Sequence, residues 1–462
     1  MIGSELTLVR ALVERTRSAA RGWAALSIAS RAAILADFRR ALVAHADELS
    51  ATITAETQKP RLEALAQEIL IVANLFAYYE KHAAHLLRER SLSTGIMLTK
   101  RARKCYLPYG VVGIIGPWNY PLSLPAIPMV CALFAGNGVL IKPSELTPRT
   151  AALLVQIGRA ALGTHADVLA LVEGGPATGA ALVDAPCDKL CFIGSEATAK
   201  RIAAAAAPHL TPLVLELGAN DVAIVCEDAD IERTAKGVVW GAFMNAGQAC
   251  VSIERVLVAD AIADQFRAAL IAEAAKARSG PLIHAAHAAA VGAILDDALA
   301  KGARIVHGGS RQGAVLAPTI LEGVPADARL HAEETFGPLL PIVRVHSDAE
   351  AVALANASPY GLAATVWTQS PERGRSIAAG LEVGTVVIND AHIGFAIPAL
   401  AYGGVRRSGY GRLMGEEGLL EFVRTKGIIE TIFPLAQEPY WYPYFGFAYG
   451  LAKKALTLLF GR

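Results

Sequence analysis

The chain has 462 residues, of which 53% are hydrophobic and 18% charged, with 43 lysines plus arginines against 42 acids. That length exceeds what one core serves and predicts two or three domains, while the apolar content excludes a disordered chain. The even charge balance excludes a basic stripe for nucleic acid or another polyanion.

The first residues, MIGSELTLVRALVERTRSAARGW, mix Glu5 and Glu14 with arginines and lack an apolar core. They predict a surface helix, not a leader peptide. Helical periodicity continues through Arg31–Phe38 and Leu62–Tyr79. The stretch RSLSTGIMLTKRARKCYLPYG then alternates turn-prone and short β-like runs, which predicts a hairpin leaving the main body. From Tyr109 the pattern becomes strand, loop and helix in turn, with VVGII, GVLIK, VLALVEG and KLCFIGS as buried strands. No charge lies between Lys104 and Lys142, but Pro108, Pro117, Pro121, Pro125 and Pro128 argue against a membrane span. Buried strands and loops are expected there. A second set follows near Leu213: VLEL, DVAIV, RVLVA, RIVHGG and GTVVIND. Apolar strands alternating with helices predict parallel sheets covered on both faces.

Six cysteines, none in CxxC pairs or at zinc-ligand spacing with histidine, predict a reducing compartment and no metal. Cys250 lies in NAGQACVSIERV among small residues. Alone it reads as a buried structural thiol. A nucleophilic thiol needs help from its setting, because a free one is only a few per cent ionised at neutral pH. Its company supplies that reading. GPWNYPL holds Trp118 and Asn119, and LELGAN ends an apolar strand on Glu216, where an unpaired carboxylate is costly. EETFGPLLPI holds Glu334 and Phe336, KPSE holds Lys142 and Glu145, and FIGS holds Gly194 and Ser195 where a helix begins.

In this order, these segments resemble the aldehyde dehydrogenase superfamily from about Ala32 to Lys426, nearest to its class 3 or fatty-aldehyde branch. The resemblance implies an α/β fold with two Rossmann-like domains and a small bridging, oligomerising hairpin. Residues 1–86 and 111–215 would bind NAD, 216–426 would be catalytic, and 87–110 with 427–439 would bridge subunits, leaving 440–462 as an aromatic, amphipathic tail. By the same resemblance Cys250 attacks the aldehyde carbon and Asn119 holds the oxyanion with the backbone N–H of Cys250. Glu216 activates water for thioester hydrolysis. Lys142 and Glu145 bind the adenosine ribose, Gly194, Ser195 and Trp118 flank the pyrophosphate, and Glu334 binds the nicotinamide ribose beside Phe336. NAD is expected over NADP because Glu145 repels a 2′-phosphate, a repulsion that Lys142 softens.

Plainer readings stand beside these: Lys142 with Glu145 as a surface ion pair, Phe336 as core, and Cys187 with Cys191 as buried thiols. The chain departs from the family pattern at Ile193 in FIGS, at Ala219 and Asn220 in LELGAN, and at Ala401-Tyr402-Gly403-Gly404, where PFGG is frequent. The tail crowds Tyr440, Trp441, Tyr442, Tyr444, Phe445, Phe447 and Tyr449 before a short helix with Leu451, Ala455, Leu458 and Leu459 on one face. It suits either a membrane interface or packing on its own subunit or a dimer partner. The expected protein is a cytoplasmic homodimer, with peripheral membrane contact through the tail as an alternative. Its expected reaction is oxidation of medium- to long-chain aliphatic or aromatic aldehydes to acids with NAD, or with NADP. The rivals are a CoA-acylating aldehyde dehydrogenase and an inactive binding or structural homologue.

Overall fold

The N-terminal helices form because each buries one stripe. The computed structural model, which describes residues 2–278 and 280–461, begins with helices Ile2–Ala25, Ile28–Ala44 and Ala46–Thr57. Ser27 caps the second by accepting from the Ser30 N–H, and that helix buries Arg31, Leu35, Phe38 and Leu42 along a single face. The next helical run, Arg61–Leu86, contains a π-turn at Leu65–Ile69. The extra residue in that turn carries Glu68 into the interior, where it is fully buried.

The proline-rich segment departs from expectation. Ser123–Ala135 is a helix, with Pro128 inside it and all thirteen residues buried. Pro125 sits in the first turn, where a backbone N–H has no helical partner to lose. Complete burial of this apolar helix outweighs the bond that Pro128 removes. Gly136, at φ +97, ends it with the left-handed cap that glycine accepts without strain.

Two sheets organise the larger unit, Met1–Leu86 with Pro108–Arg424. The first has the spatial order Gly409–Tyr410, Leu213–Leu217, Lys189–Gly194, Val111–Ile115, Gly138–Lys142 and Leu169–Leu171. It is parallel except for the short edge strand Gly409–Tyr410. The second runs Arg304–His307, Thr319–Glu322, Leu339–Val345, Ile253–Ala259, Asp221–Val225, Ala363–Trp367 and Thr385–Ile388. Only its Arg304–His307 edge is antiparallel. The two doubly wound sheets expected from the sequence are present, but VLEL belongs to the first. The chain passes to the second sheet after Leu217 and returns for Gly409–Tyr410.

In the first sheet, connections leave Val111–Ile115 toward Gly138–Lys142 on one side, and Lys189–Gly194 lies on the other. This reversal opens a crevice at the carboxyl ends of Ile115 and Gly194, the place where doubly wound sheets bind ligands. The smaller unit, Leu87–Leu107 with Thr425–Arg462, contains most of a three-stranded sheet. Arg90–Leu92 pairs antiparallel with Lys100–Pro108, which neighbours Val423–Thr431. The tail ends in helix Ala448–Phe460, whose residues are exposed except for the half-buried Ala448.

Candidate active site

Cys250 follows a turn that few sequences adopt. Asn245 (φ 49°), Ala246 (φ 57°) and Gly247 (φ 74°) are all left-handed. For the two non-glycines this is strained backbone, held by its surroundings. The Asn245 amide donates to the Asn119 and Gln248 carbonyls, each at 3.1 Å, and the Gln248 amide returns a bond to the Asn245 carbonyl at 2.9 Å. A Cβ at Gly247 would lie 2.5 Å from the Gly337 carbonyl, so only glycine fits. The turn leaves the Cys250 thiol partly exposed, whereas Cys131, Cys187, Cys191 and Cys226 are buried. Burial and the nearby carboxyls of Glu334, Asp221 and Glu216 push the Cys250 thiol up to about 12.

Asn119 reaches this turn from the first sheet. It lies in the loop after Val111–Ile115, and its Nδ2 donates to the Gln248 carbonyl at 3.1 Å. Beneath it is an ion pair that the sequence reading missed. Lys59 Nζ donates to Glu68 at 2.9 Å and to the Asn119 carbonyl at 2.7 Å, and both side chains are wholly buried. The other Glu68 oxygen accepts the N–H groups of Leu122 and Ser123 at 2.8 and 3.2 Å, and Lys59 lies 3.8 Å above the Tyr120 ring centre. The pair fixes the Asn119 loop from both ends. Its one sequence signal was an acid inside the apolar run ALAQEILIV.

Three glutamates lie near the site on different elements, Glu216 and Glu254 buried and Glu334 half-buried. Glu216, on strand Leu213–Leu217, has no hydrogen-bond partner at either oxygen. Burial raises it well above its ordinary value despite the nearby Arg412, which favours its protonated form. Glu254, on strand Ile253–Ala259, accepts from Thr335 N–H at 2.8 Å, Phe336 N–H at 2.8 Å and Asn220 Nδ2 at 3.0 Å. Glu334 accepts only the Ala219 N–H, at 3.2 Å. Burial and the Glu254 charge raise Glu334, and burial also raises Glu254. With more donors, Glu254 has the better claim on the negative charge.

Cys250 lines two cavities. The larger, about 400 Å³, is bounded by Trp118, Asn119, Gly194, Ser195, Glu216, Gly218, Glu334 and Phe336, among others. Every expected site residue thus meets there except Lys142, which ends strand Gly138–Lys142, and Glu145, which follows it. Lys142 Nζ stands 3.4 Å from Glu145, with side-chain exposures of 5% and 48%. Trp118 meets Phe336 edge-on at 5.5 Å, and His287 lies 5.6 Å from the same indole while bonding the Phe336 carbonyl at 2.8 Å. The smaller cavity, about 50 Å³, is lined by Ile71, Tyr120, Leu124, Trp240, Met244 and Phe395 together with Gln67, Ser123, Val251 and His392. None of these is a lysine or arginine.

The residues of the larger cavity fit a dinucleotide. Ser195 caps helix Glu196–Ala206 by accepting from Thr198 N–H, and the first turn of that helix offers backbone donors to an anion. Bare backbone forms the wall at two points. A Cβ on Gly194 would meet the Phe192 ring at 2.6 Å, and one on Gly218 would strike the Glu334 carboxyl at 2.0 Å.

A nucleotide-sized crevice beside a reactive thiol, at the junction of two doubly wound sheets, defines a class of α/β enzyme. Residues 4–428 match the aldehyde dehydrogenase family. The chain is 37% identical to a 4,4′-diapolycopene aldehyde oxidase of Methylomonas sp., over 99% of this chain and 88% of that protein. It is 36% identical to a putative NADP-linked succinate-semialdehyde dehydrogenase of Mycolicibacterium smegmatis, over 91% of this chain and 84% of that one. An NAD-dependent aldehyde dehydrogenase structure from Sinorhizobium meliloti superposes with a TM-score of 0.89 at 32% identity, covering 95% of this chain and 89% of the other. The chain belongs to the aldehyde dehydrogenase family, and it is an NAD(P)-dependent enzyme of aldehyde oxidation.

Proposed function

We propose that the enzyme oxidises medium- to long-chain aliphatic or aromatic aldehydes to carboxylic acids through a thiohemiacetal and a thioester on Cys250. The observation that carries this reading is the placement of one partly exposed sulfur between a dinucleotide-sized crevice and an apolar chamber. In attack, the Cys250 sulfur bonds the carbonyl carbon and the carbonyl π pair moves to oxygen. Asn119 Nδ2, now given to the Gln248 carbonyl, and the Cys250 N–H are the donors proposed for that oxyanion. Bound in the larger cavity, NAD(P) supplies the hydride acceptor. Gly194, Ser195 and Trp118 would hold its phosphates, Glu334 and Phe336 its nicotinamide end, and Lys142 with Glu145 its adenosine ribose. NAD is preferred, since a 2′-phosphate meets Glu145. Burial favours the protonated form of Glu216 where it stands, so its proposed work as base on the thioester requires it to swing toward water and ionise.

The uncharged lining of the chamber supports a neutral, apolar substrate over a semialdehyde, whose far carboxylate would find no lysine or arginine. The 37% identity, over 99% of this chain, to a protein named for diapolycopene aldehyde supports the same reading. Within the family we place the chain with the class 3 or fatty-aldehyde branch. The first sheet would serve the cofactor, the second the thiol, and segments 87–110 and 427–439 would bridge a homodimer. The exposed tail, with lysines and no acid after Glu438, is proposed as a peripheral membrane contact of a cytoplasmic enzyme. Liposome flotation unchanged by removing residues 440–462 would reject that contact.

The central test is NAD(P)H formation across a chain-length series of aldehydes and succinate semialdehyde, with both cofactors. Wild type should favour the longer neutral aldehydes with NAD, and Cys250→Ala should form no NADH. Turnover that survives Cys250→Ala rejects the mechanism, and acyl-CoA production on adding CoA would favour the acylating rival.

A further inference from the structure

Tyr402 stands where the family pattern has PFGG, so this chain adds a hydroxyl at that position. The hydroxyl lies 3.4 Å from Cys250 Sγ. Its placement is built rather than incidental. Tyr402 and Leu413 exchange two backbone hydrogen bonds of 2.7 Å, and the Tyr402 ring packs on Phe395 with centroids 3.9 Å apart. The residue is buried and borders the larger cavity, so its oxygen faces the reacting atoms.

We propose that Tyr402 is a catalytic residue whose hydroxyl donates to the Cys250 thiolate and so raises the fraction of that nucleophile present to attack the aldehyde. This rests on Cys250 being the nucleophile. The thiol loses its proton to water, and Tyr402 keeps its own. When the sulfur pair bonds carbon and the carbonyl π pair moves to oxygen, the sulfur charge vanishes and the Tyr402 hydroxyl loses its charged acceptor. Hydrogen bonds to ionised acceptors are roughly twice as strong as neutral ones, so the donation favours thiolate over thiol.

The other groups around the sulfur do not favour its ionisation. Glu216 on strand Leu213–Leu217, Asp221 on Asp221–Val225 and Glu334 in the loop before Leu339–Val345 all oppose it. Tyr120 and His392 from the smaller chamber, and His287, Arg329 and Glu333 from the larger cavity, complete the titratable lining; Arg329 is paired with Glu333 at 2.8 Å, and burial drives both histidines toward the neutral form. The Tyr402 bond pulls the thiol down, and Tyr402 itself is raised well above its ordinary value by burial and by the Cys250 charge. Its hydroxyl is therefore protonated, and a donor, at neutral pH.

The test follows iodoacetamide alkylation of the Cys250 peptide by mass spectrometry across pH, in wild type and Tyr402→Phe. The variant should keep the melting temperature and raise the alkylation midpoint by about one pH unit, equivalent to about tenfold less thiolate at neutral pH. Its kcat/KM should fall about tenfold at pH 7 and recover toward wild type at high pH. Difluorotyrosine at position 402, a more acidic donor, should lower the midpoint. Coincident midpoints in wild type and both variants would overturn the proposal, whereas a change of melting temperature alone would mark Tyr402 as packing. Alkylation needs no turnover, so this outcome is separate from the Cys250→Ala test of the function itself.

Discussion

The end of strand Leu213–Leu217 and the start of strand Ile253–Ala259 each bury one glutamate, and they treat it in opposite ways. Around Glu254, donors from Asn220, Thr335 and Phe336 converge on both oxygens. Around Glu216, both oxygens lack partners. A buried carboxyl without donors is destabilising, and it persists where the group has other work or another position to occupy. The satisfied glutamate fastens one loop to another, and the unsatisfied one is free to leave. Burial by itself therefore does not separate a structural acid from a working one.

The largest effect expected from this contrast comes at Glu216. Glu216→Gln should cut steady-state turnover by about 10²–10⁴, because proton transfer to a positioned base is worth that much. A first-turnover burst of NADH, seen by stopped flow, should survive. Loss of the burst would place Glu216 before the thioester and erase the contrast. Asn119 is an intermediate case, satisfied at rest by the Gln248 carbonyl yet proposed to serve the oxyanion. Asn119→Ala should lower kcat by about 10²–10³ and remove the burst as well.

Glu254→Gln should do the reverse of Glu216→Gln. It leaves two backbone donors facing an amide and should cost about 1–3 kcal/mol in urea unfolding. Activity per folded molecule should stay within a few-fold. The smallest effect is on pH dependence. Glu334 and Glu254 both have raised values, so above the ordinary carboxylate range of about 4.3 the folded state holds more protons than the unfolded chain. Their contribution to stability must then fall as pH rises. The melting temperature should drop from pH 5 to pH 8, and the drop should be shallower in Glu334→Gln. An equal slope in the variant would mean that Glu334 is ionised in the fold.

What the sequence showed and hid follows the same division. Cys250, Asn119, Glu216 and Glu334 sit in short motifs, so local pattern was enough to single them out. Lys59 and Glu68 act on Asn119 across some sixty residues, and no local pattern shows a contact of that range. Tyr402 was visible only as a departure from the family pattern. Among strands, the expected set omits Leu339–Val345, Ala363–Trp367 and Thr319–Glu322, all inside the second sheet. Pro341 interrupts the first of these, and proline in a central strand argues against strand unless the ladder is examined in three dimensions. The helix Ser123–Ala135 was hidden for a related reason, since its prolines outweigh periodicity on paper and burial outweighs its prolines in the fold.

The fit of Gly247 against Gly337 bears on how this enzyme can be re-engineered. The turn that presents the nucleophile and the loop that carries Glu334 and Phe336 are dovetailed, with no room for a methyl group between them. A Cβ on Gly247 would strike the Gly337 backbone, which no side chain at 337 removes, and a Cβ on Gly337 would meet Val291 at 2.7 Å, so single-site libraries at either position should return the parent. The chamber residues Ile71, Trp240 and Met244 lie outside this joint. A library confined to those three would alter which aldehydes enter while leaving the mounting of the sulfur intact.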